Sequence, residues 1–220
     1  VFPAASEVWN DAGNWQTGHW LTGRLGATPL DALVGAILAD NNVADADTAA
    51  LDEGPQGYVV DRPMAPRAML DPLALAYAFD AVEVDGVLRF VQRGGAPVAD
   101  LIEDDLVLPD ERAPAQLTRT QESDLPREVT LGFTDIDADY QPGVAASRRL
   151  AGRAVRTAHA DLAVVTDLAQ AQRRAEIWLQ DLWAGRETAS LALPPSRISL
   201  KAADVVGLTV SGRRRLVVLT

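Results

Sequence analysis

Apolar residues at Leu30, Leu33, Val34, Ile37 and Leu38 fall on one face at helical spacing, as in a half-buried helix. Thr28 can cap it, Pro29 suits its first position, and Asp31 places a carboxylate near its positive end. Asn41-Asn42 ends the pattern. Residues 43–57 carry scattered acids and two glycines and predict a loop, followed by a short β-branched run at Tyr58-Val59-Val60. A second helix is predicted from near Pro66 to about Phe79. Pro72 lies inside it, removes one backbone hydrogen bond, and should kink or split it. Two apolar runs, Ala81–Val84 and Val87–Val91, flank Asp85-Gly86, which predicts a hairpin.

Gly94-Gly95 and Pro97 then interrupt the pattern, and an acidic, aliphatic stretch runs from Asp100 to Glu111. It reads as a solvated linker with a short strand at Leu106–Leu108. Beyond it, Val129, Leu131 and Phe133 alternate within a strand over Glu128–Phe133, and Ala154–Val165 is a less regular strand candidate. Thr166 is placed as the cap of a helix whose residues Leu168, Ala171, Ala175, Trp178, Leu179 and Leu182 share a face until Gly185. Strands are predicted at Ser190–Leu193, Val205–Val210 and Leu216–Leu219, the last two joined through Ser211-Gly212.

These elements predict an α+β chain in two lobes. Residues 1–97 form an α/β lobe with an extended, Trp-rich entry segment, 98–111 an acidic linker, and 112–220 a β-rich, barrel-like lobe with one long helix over 166–184. Two separate cores are expected. Leu33, Ile37, Leu70, Leu73 and Phe90 form one, and Val129, Leu131, Trp178, Leu179, Leu182 and Val206 the other.

Composition narrows the function classes. Apolar residues make up 48% and charged residues 23% of the 220, the balance of a folded domain. A formal net charge of −11 argues against coating nucleic acid through phosphate contacts, which need clustered Lys and Arg. An acidic wall past which DNA slides is compatible with it. The absence of cysteine excludes a disulfide framework, a thiolate zinc site and a Cys nucleophile. No apolar run approaches the roughly 20 residues that span a bilayer, and the first residues lack the regions of a signal peptide. Starting without methionine, the sequence reads as a mature fragment or an internal piece of something larger.

Motifs for chemistry are scarce. His19 and His159 are the only histidines, far apart in sequence, and no HExxH box, GxSxG elbow, phosphate loop or GxGxxG turn occurs. Asp135, Asp137 and Asp139 mimic the start of a calcium loop, but Tyr140 stands where glycine is needed and Ala146 where the bidentate Glu belongs. No catalytic residue, cofactor or metal ligand is assigned. Trp15, His19 and Trp20 could stack on a sugar, although tryptophans at such spacing more often anchor a core or an interface. Arg213-Arg214-Arg215 suits a solvated hairpin edge, or in an assembly a contact with an acidic neighbour.

Three segments carry a family resemblance. The first is Gly18-His19-Trp20-Leu21-Thr22-Gly23-Arg24-Leu25-Gly26 with the helix after it. The second is Tyr58–Arg67 with Asp85–Arg93. The third is Leu125–Arg149 with the Ala-rich helix ending at Trp183 and Leu193-Pro194-Pro195-Ser196. In that order they resemble the hub region of the large tail-tip, or megatron, protein of alphaproteobacterial gene transfer agents. That protein is similar to the host-specificity proteins of long-tailed phages and to the baseplate hubs of contractile tails. The family commonly has Gly-Asp where this chain has Ala203-Asp204, so the tight turn there is in doubt.

The resemblance implies a structural, non-enzymatic component of a phage-like tail tip, assembled in the cytoplasm and released with the particle. It implies a homo-oligomer, a trimer, that closes the tail tube, touches tail-tube, distal-tail and hub proteins, and lets DNA pass without specific binding or membrane insertion. The glycoside-hydrolase-like barrel of the full tail-tip protein would need about 250 residues with regular strand–helix alternation, which this chain lacks. Trp9, Trp15, Trp20, Arg213, Arg214 and Arg215 are the candidate interface residues. The alternatives are a cell-wall-degrading tail lysin and a carbohydrate-binding host-recognition module. A buried nucleophile or carboxylate pair would mark the first, and exposed coplanar aromatics the second.

Overall fold

The computed structural model describes residues 19–20, 23–25, 28–60, 62–108, 113 and 115–220. Of the predicted entry segment over residues 1–27, residues 1–18, 21–22 and 26–27, and with them Trp9 and Trp15, lie outside them.

The frame is a six-stranded sheet that draws strands from both halves of the chain. β1 (His19–Trp20), β2 (Gly23–Leu25) and β4 (Gly57–Val59) come from the first half. β9 (Pro126–Asp135), β10 (Gln141–Arg148) and β11 (Arg156–Thr166) come from the second, and the order across the sheet is β1-β2-β4-β11-β9-β10. β9 and β11 run parallel at its centre, with Leu131 opposite Ala160, and β4 joins antiparallel through Tyr58 and Val164. Helix α1 (Leu30–Asp40) and helix α2 (Pro66–Tyr77) supply the first-half apolar faces, while α3 (Leu168–Ala184) packs on β9 and β10. Three smaller sheets complete the fold. They are β3 (Ala46–Asp47) with β6 (Val87–Gln92) and β5 (Phe79–Val84), β12 (Glu187–Leu191) with β8 (Ala115–Arg119), and β14 (Arg213–Val218) with β13 (Val205–Val210) and β7 (Ala99–Ile102).

The chain is α+β, as the periodicity predicts. None of the described sheets closes on itself, so the barrel-like arrangement expected of the second half is instead a set of open sheets, with α3 packed on β9 and β10. The expected division of the core also fails. Val34, Ile37, Leu73 and Phe90 join Val129, Leu131 and Leu179 in one buried cluster, with Leu33, Leu70, Trp178 and Leu182 packed against it. Val206 belongs elsewhere, with Leu101, Leu106 and Leu208 under the β7–β13–β14 sheet. The cause is topological. β4 is hydrogen-bonded into the second half's sheet, so α1 and α2 cover strands that come later in the sequence.

Side-chain anchors fix this union. The Tyr58 hydroxyl donates to the Met69 carbonyl at 2.6 Å, tying β4 to α2. The buried Arg174 of α3 donates through Nη1 to the Ala76 carbonyl at 3.0 Å and stacks 4.0 Å from the Tyr77 ring. Helix α2 has no basic residue in its own last turn, so Arg174 brings the positive charge that its carbonyl end favours. Burial pushes the Tyr77 phenol up to about 12.

Local expectations differ from the structure where backbone geometry overrides residue type. Pro72 does not split α2, which ends at Tyr77 on a left-handed Ala78. Pro29, not Thr28, occupies the N-cap of α1, because the Thr28 and Leu30 amides donate to Pro55 and Glu53 carbonyls at 3.2 and 2.8 Å. Asp167 rather than Thr166 caps α3, accepting from the Gln170 amide at 2.8 Å. Thr166 is the buried last residue of β11. The region predicted as a loop over 43–57 contains β3, and β4 begins at its end. No strand forms at Leu106–Leu108; the acidic stretch instead contributes β7 and a single 3-10 turn at Glu103–Asp105. The Asp85-Gly86 hairpin forms as predicted, with both residues left-handed between Val84 and Val87. The turn at Ala203-Asp204 also closes, with Asp204 N–H donating to the Lys201 carbonyl at 3.2 Å and Ala203 at φ 69°.

Two backbone substitutions should act in opposite directions. A Cβ on Gly54 would overlap the Thr28 carbonyl oxygen, rigid backbone that cannot step aside, so Gly54→Ala should lower stability by about 2 kcal/mol or more. Ala203 holds the left-handed position of a type II-like turn, so Ala203→Gly should raise stability by up to about 1 kcal/mol. Denaturant midpoints measure both. The Gln170 amide, the largest influence on Asp167, holds that carboxyl below its ordinary value. Asp167→Ala should cost about 1 kcal/mol at neutral pH as a lost cap. A depressed folded-state pKa stabilises above the unfolded value of about 4 and is lost as pH falls through the folded one. The gap between wild type and variant should therefore narrow in thermal melts below about pH 4.

Candidate interaction surfaces

The basic run lies on β14, which returns antiparallel from β13 through Ser211-Gly212, both left-handed. Arg214 reaches across β13 to Asp100 on β7, with Nη2 and Nε donating to Oδ1 at 2.7 and 3.0 Å. The pair passes over Gly207, where a Cβ would overlap Asp100 Oδ1 and stand 2.7 Å from Arg214 Nη2. Arg215 lies 3.7 Å from Glu187. Arg213 is exposed and has no ion pair among the described residues. Of the candidate tryptophans, only Trp20 falls within the described residues, in β1 opposite Gly23.

Beside this run, β14 presents an unpaired edge among the described strands. Leu216 and Val218 on it are 60% and 46% exposed, and Leu117 on β8 is 47% exposed. The three line a groove of about 550 Å³. Its wall is an ion-pair knot. Arg93, just after β6, donates to both oxygens of Asp80 at 2.6 and 2.8 Å and to Asp181 of α3 at 2.8 Å. The hydrogen bonds that Arg93 donates to Asp80 hold its guanidinium above its ordinary pKa, which fixes the hairpin against α3 as a permanently charged clamp.

A second surface forms where β9 and β11 begin and β10 and α3 end. The Trp183 indole is buried there and donates to the Pro126 carbonyl at 2.8 Å. Arg149 stacks 4.0 Å above its ring, and Arg186 lies 5.5 Å away. Arg186 pairs with Glu122 at 3.2 Å, Arg156 with Asp124 at 3.1 Å, and Arg148 with Glu128 at 3.7 Å. The loop from β10 to β11 exposes Leu150 at 91% and Val155 at 79%.

One polar constellation escapes sequence reasoning. Thr130 and His159 face each other on parallel β9 and β11, as do Gly132 and Asp161. Thr130 Oγ1 lies 2.9 Å from His159 Nδ1, and His159 Nε2 lies 3.1 Å from Asp161 Oδ1. A Cβ on Gly132 would overlap the Asp161 carboxylate, so the glycine makes room for it. This has the hydroxyl–imidazole–carboxylate order of a nucleophilic triad. It lies open to water, with His159 and Asp161 side chains 55% and 82% exposed, so nothing there raises the strength of a developing charge contact. The Asp135–Asp139 segment is a turn in which Asp135 accepts from the Asp137 amide at 3.0 Å. No group of three His, Cys, Asp or Glu suited to a metal ion occurs among the described residues.

With these surfaces in view, comparison with known proteins decides the family. Residues 65–220 match the protein family described as "Putative phage tail protein". The chain belongs to this family of phage tail proteins. Among solved structures it is similar to a chain of the virion of a native gene transfer agent particle, with 33% identity and a TM-score of 0.82. That match covers 94% of this chain and 47% of the other, so this chain spans about half of that relative. A tail protein from Neisseria meningitidis MC58 has the same fold at 14% identity and a TM-score of 0.58, over 93% of this chain and 64% of that one. So does the 43 kDa tail protein of prophage MuSo2 from Shewanella oneidensis, at 16% identity and 0.57, over 88% of this chain and 60% of its own. No curated protein matches.

Proposed function

We propose that this phage tail family member is a non-enzymatic structural part of a tail-tip hub that closes the tail tube of a phage-like particle and lets DNA through. The observation that carries the reading is the likeness to a chain of a gene transfer agent virion over 94% of this chain at a TM-score of 0.82. The surfaces are consistent with assembly: an unpaired β14 edge with exposed Leu216 and Val218, and a basic, aliphatic loop at Leu150. A hub surrounds an axial path, and copies of one chain do so with a single interface repeated by rotation. Three-fold symmetry follows from the resemblance to tail-tip hub proteins. The net charge of −11 favours a wall along which DNA moves, because tight phosphate contacts would stall it.

In this reading the partners are further copies of the chain and neighbouring tail-tube and distal-tail proteins. The Thr130–His159–Asp161 row serves as a cross-strand polar ladder. Reconstruction of the intact particle tests the proposal. Density for this chain should surround the tail axis in symmetry-related copies; a single copy lying off the axis with no symmetry mate would overturn it. A second arm addresses the enzymatic alternative: purified protein should release no soluble product from peptidoglycan. Turnover that His159→Ala abolishes would assign the chain to the tail lysins instead.

A further inference from the structure

Two surface patches on this chain are opposite in charge and alike in apolar character. At the first, six arginines converge: Arg127, Arg148, Arg149, Arg153, Arg156 and Arg186. Three of them are matched by Glu128, Asp124 and Glu122. Arg127, Arg149 and Arg153 have no carboxylate partner among the described residues. Arg149 is held in place by the Trp183 ring at 4.0 Å. The loop that carries Arg149 and Arg153 also carries Leu150 and Val155, 91% and 79% exposed. In a chain with a net charge of −11, this end is locally basic and carries water-facing aliphatics at the same place.

The second patch is β7 with the turn that follows. Val98, Ile102 and Leu108 are 61%, 51% and 70% exposed. Asp104 has no cation partner among the described residues, and the Glu103 carboxylate accepts only the Ser211 amide there, at 3.3 Å. β7 pairs with β13 on one side alone among the described strands.

We infer that the Arg149–Val155 loop of one copy docks on the β7 strip of a second copy, apolar on apolar and guanidinium on carboxylate. The inference rests on the hub reading and names the contact between copies. The two patches are different surfaces, so each copy offers one and receives the other. Such a head-to-tail contact closes into a ring when its rotation divides the circle. Nucleic acid fits the first patch less well. Phosphates would satisfy the arginines but leave Leu150 and Val155 facing water, and no aromatic at this end is exposed for base stacking, Trp183 being buried. Charge matching at the rim would set register and speed of assembly, while the aliphatics supply contact area.

Sedimentation of the full chain tests this, with thermal melts confirming that each exposed-site variant folds. Wild type should self-associate, and Arg153→Glu combined with Leu150→Asp should weaken association by about tenfold or more. Asp104→Arg should weaken it alone and restore it in part when paired with Arg153→Glu. Because the chain has no cysteine, Arg153→Cys with Asp104→Cys should give a disulfide ladder of whole-number oligomers under oxidation. An assembled wild type indifferent to all these changes overturns the inference and leaves the hub reading standing. A wild type that stays monomeric, with no ladder from the cysteine variant, also overturns it, and particle reconstruction then judges the hub reading alone.

Discussion

The structure depends on the parallel pairing of β9 with β11 and on the insertion of β4 beside them. Parallel strands need both faces covered to be stable, and here the chain's two halves supply the cover jointly. α3 packs on β9 and β10, while α1 and α2 bring Val34, Ile37 and Leu73 into contact with the cluster that holds Val129, Leu131 and Val164. Neither half closes this core by itself. Long-range pairing of this kind is costly to nucleate, and the anchors from Tyr58 to Met69 and from Arg174 to Ala76 lie where the halves meet.

That shared core determines what is left outside. The Arg149–Val155 loop projects from β10 and β11 of that sheet, while the β14 edge and the β7 strip belong to a separate sheet linked to neighbouring elements by the Arg215–Glu187 and Lys201–Asp85 pairs. The Arg93 clamp holds the β5–β6 hairpin to α3, and Arg214 with Asp100 ties β14 to β7 across a glycine. Surfaces held in fixed mutual orientation suit a component that must meet several neighbours at once in a symmetric assembly. Two members of the Arg213–Arg215 run already have partners within the chain, whereas neither Arg149 nor Arg153 of the loop after β10 has a carboxylate partner among the described residues.

Much of the local structure was legible because strong local signals carried it. The Asp85-Gly86 hairpin rests on two residues that tolerate left-handed backbone, and α3 rests on a long apolar stripe ended by Gly185. β10 and β8 carry no such signal, for a physical reason. Gln141–Arg148 contains Pro, Gly and small residues and buries only Ala145, while most of Ala115–Arg119 is exposed, so neither shows alternation. The joining of the two cores was not legible, since periodicity says that a face is buried but not against what. The Thr130–His159–Asp161 row was hidden for a related reason: its members become neighbours only through strand register. The family, by contrast, was readable from the order of short segments, none of them diagnostic alone.

The account's central claim is that both halves fold as one unit around β9 and β11. Native-state hydrogen exchange tests it most directly. The slowest amides of α2, β4, β9 and β11 should open with one common free energy, close to that of global unfolding, and respond together to denaturant. Exchange of α1, α2 and the β5–β6 hairpin at a distinctly lower free energy, while β9 and β11 stay protected, would contradict it.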